Sequence, residues 1–277
     1  MKKYIVSNWK NHPDTLAEAE QILNNVDEYL GSLGEKELSL VFCPPFVFTE
    51  EVGKTLRISH LAHQAELGAQ DISADDKIAL TGEVTGPMLK KLGVRYVIVG
   101  HSERRWKLGE SDEIVNQKLK VVLENELVPI VCLGERVRDA DFKEFLRNQT
   151  EATFAGLSSD QISRCIIAYE PVWAISSNPG SHPDTPQSAL ESVDIIKRLL
   201  IEKFQVTSTK SQTNSKFQIP NSKPLFLYGG SITSANSREF LSNDGFDGVL
   251  VGSASVNKDE FVRILSIVQE LDTPLHT

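Results

Sequence analysis

The chain has 277 residues, a length that suits one large α/β domain as well as two smaller ones. Hydrophobic residues make up 40% and charged residues 24%, with 17 glycines and 12 prolines, a globular composition that excludes collagen-like and wholly disordered chains. Acids outnumber bases 38 to 29, for a formal net charge of −9, and no run of Lys or Arg forms a basic stripe, so neither nucleic acid nor an anionic membrane is an expected partner.

At the start of the chain Lys2 and Lys3 precede only a short apolar step, Tyr4-Ile5-Val6, before polar Ser7-Asn8. That step is too short for a signal-peptide core, and no run reaches the roughly 18 apolar residues of a membrane span. A soluble cytoplasmic protein is the expectation. Eight short apolar runs then read as strands: 4–7, 38–43, 58–62, 96–99, 129–133, 165–169, 225–228 and 248–251. Between them, apolar residues return at steps of three and four, as in Leu16, Ala19, Ile22, Leu23, Val26 and Leu30, and again in Ile114, Leu119, Val122 and Leu123. Ser111 before Asp112 and Glu113, and Thr185 before Pro186, have the form of helix N-caps. Cys43, Cys132 and Cys165 each lie in or beside a strand run; an odd count without Cys-x-x-Cys spacing reads as buried thiols in a reducing compartment, not a disulfide or metal set.

Strands that are apolar almost throughout, alternating with helices, predict a parallel sheet covered by helices. A single-domain (β/α)8 barrel spanning 1–277 satisfies that pattern. The rival, an open doubly wound sheet, wants a glycine-rich turn after its first strand, and Asn8-Trp9-Lys10-Asn11 has none. The stretch 207–223 is rich in Ser, Thr, Asn, Gln and Lys, and reads as a polar surface loop at the bottom of the barrel, remote from the face that carries chemistry.

In a barrel the informative residues sit just past the C-terminal end of each strand. The first strand delivers Asn8 and Lys10 around Trp9, and the fourth delivers Gly100-His101-Ser102-Glu103-Arg104-Arg105. The sixth delivers Tyr169-Glu170-Pro171-Val172-Trp173-Ala174-Ile175, where the proline keeps Glu170 extended. A carboxylate that ends a buried strand costs stability unless it is paired or used, which marks Glu170 as a functional candidate. The last two strands deliver Tyr228-Gly229-Gly230-Ser231 and Val251-Gly252-Ser253-Ala254, backbone N–H donors at the place where barrels bind phosphate.

With these motifs, in this order, the chain resembles the triosephosphate isomerases over essentially its whole length. Thr81-Gly82-Glu83, Gly109-Glu110-Ser111-Asp112-Glu113 and Cys132-Leu133-Gly134-Glu135 add to the likeness. The resemblance implies interconversion of dihydroxyacetone phosphate and glyceraldehyde 3-phosphate through an enediolate, without cofactor or metal. It makes Glu170 the base and His101 a neutral electrophile, a role for which this family is itself the standard illustration. Lys10 supplies positive charge beside the phosphate and the developing oxyanion, and Asn8 orients the carbonyl end. Glu103 becomes the partner of Lys10, and Ser102 the support of the resting glutamate. The substrate-binding set is Asn8, Lys10, Ser176, Ser231, Gly252 and Ser253.

Several positions depart from the family. Its lid continues from Ala174-Ile175 with a short Gly-Thr-Gly run, whereas this chain has Ser176-Ser177-Asn178-Pro179-Gly180-Ser181-His182-Pro183, longer by about three residues. Ser253 replaces a glycine; it and Ser176 keep their backbone donors provided neither position needs positive φ. Asn11 stands for a frequent Met, and Gln70-Asp71 for a Gln-Asn pair in a loop that in the family inserts into a second subunit. A homodimer through 68–83 is therefore expected, covering Ile72, Ile78 and Leu80. Two other functions compete, an isomerase of a different small sugar phosphate and an inactive phosphometabolite-binding barrel. An inactive barrel should have lost Glu170, His101 or Lys10, and all three are present.

Overall fold

A computed structural model describes residues 2–31, 38–206 and 223–272. Its strands are β1 (Lys3–Asn8), β2 (Leu38–Cys43), β3 (Ala65–Ala69), β4 (Tyr96–Val99), β5 (Val128–Leu133), β6 (Ile166–Tyr169), β7 (Leu225–Tyr228) and β8 (Gly248–Val251). Each pairs in parallel with the next, and β8 pairs with β1, so the sheet closes into an eight-stranded barrel. Around it run α1 (Leu16–Gly31), α2 (Thr49–Ile58), α3 (Gly86–Leu92), α4 (Ser102–Leu108), α5 (Asp112–Glu124), α6 (Phe142–Thr153), α7 (Ser159–Ser163), α8 (Pro186–Phe204), α9 (Ser237–Leu241) and α10 (Lys258–Asp272). No helix among the described residues is long and apolar enough to cross a membrane.

The strands are buried along nearly their whole length because each has two apolar neighbours. One set of side chains, including Val6, Val41, Ile98, Ile130, Ala168 and Leu227, fills the barrel interior. The alternate set, including Ile5, Phe42, Val97 and Val249, meets the helices. Helix α1 buries Ala19, Ile22, Leu23, Val26 and Leu30, the stripe expected from its periodicity. The caps form as expected: Ser111 Oγ accepts the Ile114 N–H at 3.4 Å and Thr185 Oγ the Ser188 N–H at 3.2 Å. All three cysteines are free and buried, with Cys165 one residue ahead of β6.

Two expectations are corrected. The third strand is Ala65–Ala69, not 58–62: Ile58 ends α2 with its side chain 88% exposed, and His60–His63 is a 3₁₀ turn. Ala-Glu-Leu-Gly-Ala has little intrinsic strand preference, so its neighbours decide its conformation. Leu40, Val41 and Phe42 pair it on one side and Tyr96 and Val97 on the other. Gly68 is required there, since a Cβ would lie 2.4 Å from Cys43 Sγ and 2.8 Å from Val41 Cγ1. The second correction concerns Ile72, which is buried in the core, whereas Ile78 and Leu80 are exposed. Of the polar stretch 207–223, all but Lys223 lies outside the described residues.

Candidate active site

The site is assembled at the C-terminal mouth of the barrel. At the end of β1 the Trp9 indole is buried, donates to Ser7 Oγ at 2.8 Å and meets Phe42 edge-on at 6.0 Å, which makes the turn rigid. Lys10 has φ of 56°, a left-handed backbone that costs a non-glycine residue about 1 kcal/mol or more. Three bonds hold it there: its N–H donates to Asn8 Oδ1 at 3.0 Å, and Gln70 Nε2 donates to the carbonyls of Lys10 at 2.7 Å and Cys43 at 2.9 Å. The ammonium is thereby aimed across the mouth to Glu103 Oε1 at 2.9 Å. Burial tends to raise the Glu103 carboxyl, but the hydrogen bond and charge of Lys10 outweigh it and hold the group below the usual carboxylate range.

After β4 the chain turns directly into α4, with His101 as its N-cap. The Glu103 N–H donates to His101 Nδ1 at 3.2 Å, so Nδ1 carries the lone pair and the ring is the neutral tautomer with its proton on Nε2. That Nε2 lies 3.0 Å from Glu170 Oε1. Glu170 follows β6, is 2% exposed, and is fixed by its own N–H on the Leu133 carbonyl at 2.8 Å. Its Oε2 accepts the Ser102 N–H at 2.8 Å. Two glycines make the space: a Cβ on Gly134 would fall 1.9 Å from the Glu170 carbonyl oxygen, and one on Gly229 2.9 Å from Glu170 Cγ. Burial, reinforced by the Glu170 charge, pushes the neighbouring Cys132 thiol well up, so it stays protonated.

The lid begins with a 3₁₀ turn, Val172–Ala174. Glu135 Oε1 anchors it, accepting from Trp173 Nε1 at 3.0 Å, Tyr169 Oη at 2.8 Å and Arg138 Nη1 at 3.2 Å. Beyond the turn the lid bonds mostly to itself. Asn178 N–H donates to Ile175 O at 2.9 Å, Asn178 Nδ2 to Val172 O at 2.8 Å, and His182 N–H to Trp173 O at 3.3 Å. Its link to β7 is the Ser176 N–H, which donates to Ser231 Oγ at 2.6 Å.

Neither Ser176 nor Ser253 has positive φ, so the family's glycines are not needed at these positions. The N–H groups of Ser231, Gly252 and Ser253 meet no acceptor among the described residues. They line a cavity of about 320 Å³ with Asn8, Lys10, His101, Glu103, Glu170 and Ser176. Lys10 lies along Gly252, whose Cβ position is 3.4 Å from Lys10 Cε. The cavity therefore has a cationic, N–H-rich end suited to an anion and an acid–base pair at its floor. Ser102 does not line it and acts through its N–H on Glu170. Sequence reasoning assigned no role to Gln70 or Glu135. Glu135 had a signal in the Cys-Leu-Gly-Glu run, whereas the task of Gln70, bridging two strand ends, is visible only in three dimensions.

A family model described as triosephosphate isomerase matches residues 3–268. A triosephosphate isomerase of Alkaliphilus metalliredigens is 34% identical over 268 residues, covering 96% of this chain and 99% of the relative. Those of Dictyoglomus turgidum and Cutibacterium acnes are 35% and 36% identical, over 95% and 96% of this chain and 98% and 97% of their own. A closed barrel whose mouth gathers a buried glutamate, a neutral histidine and a lysine beside unengaged N–H groups thus coincides with a full-length family match, and the chain belongs to the triosephosphate isomerase family.

Proposed function

We infer that this chain interconverts dihydroxyacetone phosphate and D-glyceraldehyde 3-phosphate, the aldose–ketose isomerisation of its family in glycolysis and gluconeogenesis. The observation that carries the assignment of roles is the 3.0 Å contact of Glu170 Oε1 with His101 Nε2, in a cavity that also holds Lys10 and the free N–H groups of Gly252 and Ser253. The phosphate sits against the N–H groups of Ser231, Gly252 and Ser253, with Lys10 beside it; the Ser176 N–H, expected to join them, is donated instead to Ser231 Oγ. The substrate oxygens take the place of Glu170 at His101 Nε2, with Asn8 orienting the carbonyl end.

Released from His101 and from the Ser102 N–H, Glu170 removes the carbon-bound proton and becomes a carboxylic acid. The electron pair moves into the carbonyl, giving an enediolate whose oxygen is held by His101 Nε2–H and Lys10. Glu170 then returns the proton to the adjacent carbon while His101 gives its Nε2 proton to one enediolate oxygen and takes the hydroxyl proton from the other, so atoms and charge balance without an external acid or oxidant. The lid residues Ile175, Ser176 and Ser177 exclude water from the intermediate. An assay of purified protein coupled to consumption of dihydroxyacetone phosphate tests this; absence of turnover of glyceraldehyde 3-phosphate would overturn it.

We also propose a homodimer through the 68–83 loop and its neighbours. Phe46, Val47, Ile78, Leu80 and Met88 are 39%, 81%, 55%, 54% and 54% exposed, and a second copy gives them cover. Sedimentation at micromolar concentration should give twice the chain mass, and a fully active monomer would refute the interface. The free, buried cysteines fit a reducing cytoplasm, and the net charge of −9 fits neither nucleic acid nor an anionic membrane as partner. We take 1–277 as one domain.

A further inference from the structure

The stretch from Ser176 to Pro183, where this chain departs from its family, has a local structure of its own. Asn178-Pro179-Gly180-Ser181 is a β-turn, in which the Ser181 N–H donates to the Asn178 carbonyl at 3.2 Å. Proline sets the first central residue, and Gly180, at φ of 76°, takes the left-handed second position that a type II turn requires. No atom lies within 4 Å of a Cβ built on Gly180, so glycine is needed there for its backbone angle and not for space.

The turn reverses the chain and returns His182 over the start of the lid. Its N–H donates to the Trp173 carbonyl at 3.3 Å, and its imidazole lies on the Trp173 indole with ring centroids 4.7 Å apart and planes inclined at 37°. That is the separation of an aromatic pair in contact. His182 is exposed, and among the described residues its ring makes no hydrogen bond or ion pair, so the stack is what engages it. Trp173 is half-buried and held by the barrel: Nε1 donates to Glu135 Oε1 at 3.0 Å, and the Arg138 guanidinium lies 5.9 Å from the ring.

We propose that His182 is a positioning residue of the lid: its ring caps Trp173 and passes the hold of Glu135 on to the returning limb, so that a long lid closes as one piece. The proposal rests on the isomerase reading above. Without the ring, the returning limb keeps the His182 N–H bond and the 2.8 Å bond of Asn178 Nδ2 to Val172 O, gains freedom, and spends a smaller fraction of time in the arrangement that covers Glu170. Binding energy from the phosphate closes the lid, so a substrate without phosphate does not draw on the cap.

The test measures kcat and KM for glyceraldehyde 3-phosphate and for unphosphorylated glyceraldehyde in His182→Ala, His182→Phe, Gly180→Ala, Trp173→Leu and the His182→Ala/Trp173→Leu double variant. Loss of the ring, or of the turn that presents it, should lower kcat/KM for the phosphorylated substrate about fivefold and leave glyceraldehyde within about twofold. His182→Phe keeps a flat ring over the indole and should stay within about twofold of native on both substrates. Once Trp173 is leucine, His182→Ala should cost nothing further, because the two rings act as one unit. Two readouts need no turnover. Acrylamide quenching of Trp173, taken as the difference from the matching Trp173→Phe protein, should rise about twofold in His182→Ala and not in His182→Phe, and glycerol 3-phosphate should bind His182→Ala about fivefold more weakly. Unchanged quenching, a His182→Phe protein as poor as His182→Ala, an undiminished loss in the Trp173→Leu background, or equal losses on both substrates would overturn the cap. A native protein that binds glycerol 3-phosphate with this dependence on His182 and yet does not isomerise would sink the isomerase reading alone.

Discussion

On the β1–β4 side of the cavity the working groups are tied to a neighbouring strand end or to a helix that starts at once, whereas on the β6–β7 side the lid bonds mainly to itself. Lys10 is held by Gln70 and Glu103, and His101 by the first turn of α4. Between Val172 and His182 most bonds are internal, and among the described residues the hydrogen bonds outward are Val172 and Trp173 to Glu135 and Ser176 to Ser231. The first wall is pre-organised and carries charge stabilisation with little reorganisation. The second, bonded mainly to itself, is able to shift as one piece, the property that admission and shielding of substrate ask of a lid. Glu170 stands at the boundary, braced by Ser102 and His101 from the fixed wall yet covalently part of the moving one.

The difference can be broken from its strongest point. Glu170→Gln removes the proton acceptor and should lower kcat by about 10² to 10⁴, with affinity for glycerol 3-phosphate nearly unchanged. Near-normal turnover would remove Glu170 from the chemistry.

Within the fixed wall, Lys10→Ala and His101→Asn should fail differently, each costing about 10² or more. The first raises KM and weakens phosphate-analogue binding, and the second mainly lowers kcat. Steady-state kinetics on both variants decides this, and small, equal changes in both parameters would separate these residues from the site.

On the moving wall the loss is smaller. Ser231→Ala deletes one neutral hydrogen bond to the lid, and should cost about fivefold in kcat/KM for glyceraldehyde 3-phosphate and almost nothing for glyceraldehyde. A loss shared by both substrates would mean that Ser231 supports the barrel and not the lid.

The smallest expected effect lies in the Lys10–Glu103 pair, which is partly exposed and screened. Because Glu103 is held below its usual range in the folded chain, the stability it contributes is complete above the ordinary carboxylate range and is lost as pH falls through the lowered value. Glu103→Gln should therefore shift Tm by no more than a few degrees at neutral pH, and the shift should vanish in acid. KM should rise only a few-fold, and an unchanged acid limb of Tm would exclude the pair as a contributor.

Much of this was legible in the sequence. Seven of the eight strand segments were marked by dense Val, Ile, Leu and Phe, because a strand covered on both faces has to be apolar at almost every position. The exception, Ala65–Ala69, was hidden because Gly68 and two alanines answer to crowding by Cys43 and Val41 and not to strand preference. The site residues were visible as polar runs directly after apolar strands, since in a parallel barrel every such run surfaces at one face. Their pairing was not: that Gln70 would bind the carbonyls of Lys10 and Cys43, or that Glu103 would supply a carboxylate to Lys10, depends on strand ends 27 to 93 residues apart meeting in the closed sheet.

By itself the sequence determined the order of elements, the apolar faces and the chemical character of each strand end, because these follow from local periodicity and residue type. Tertiary structure alone decided the third strand, the burial of Ile72 and the bridge of Gln70 to the carbonyls of Lys10 and Cys43. Each of these depends on which atoms, distant in the chain, exclude water from one another when the barrel closes, and no local pattern encodes that distance.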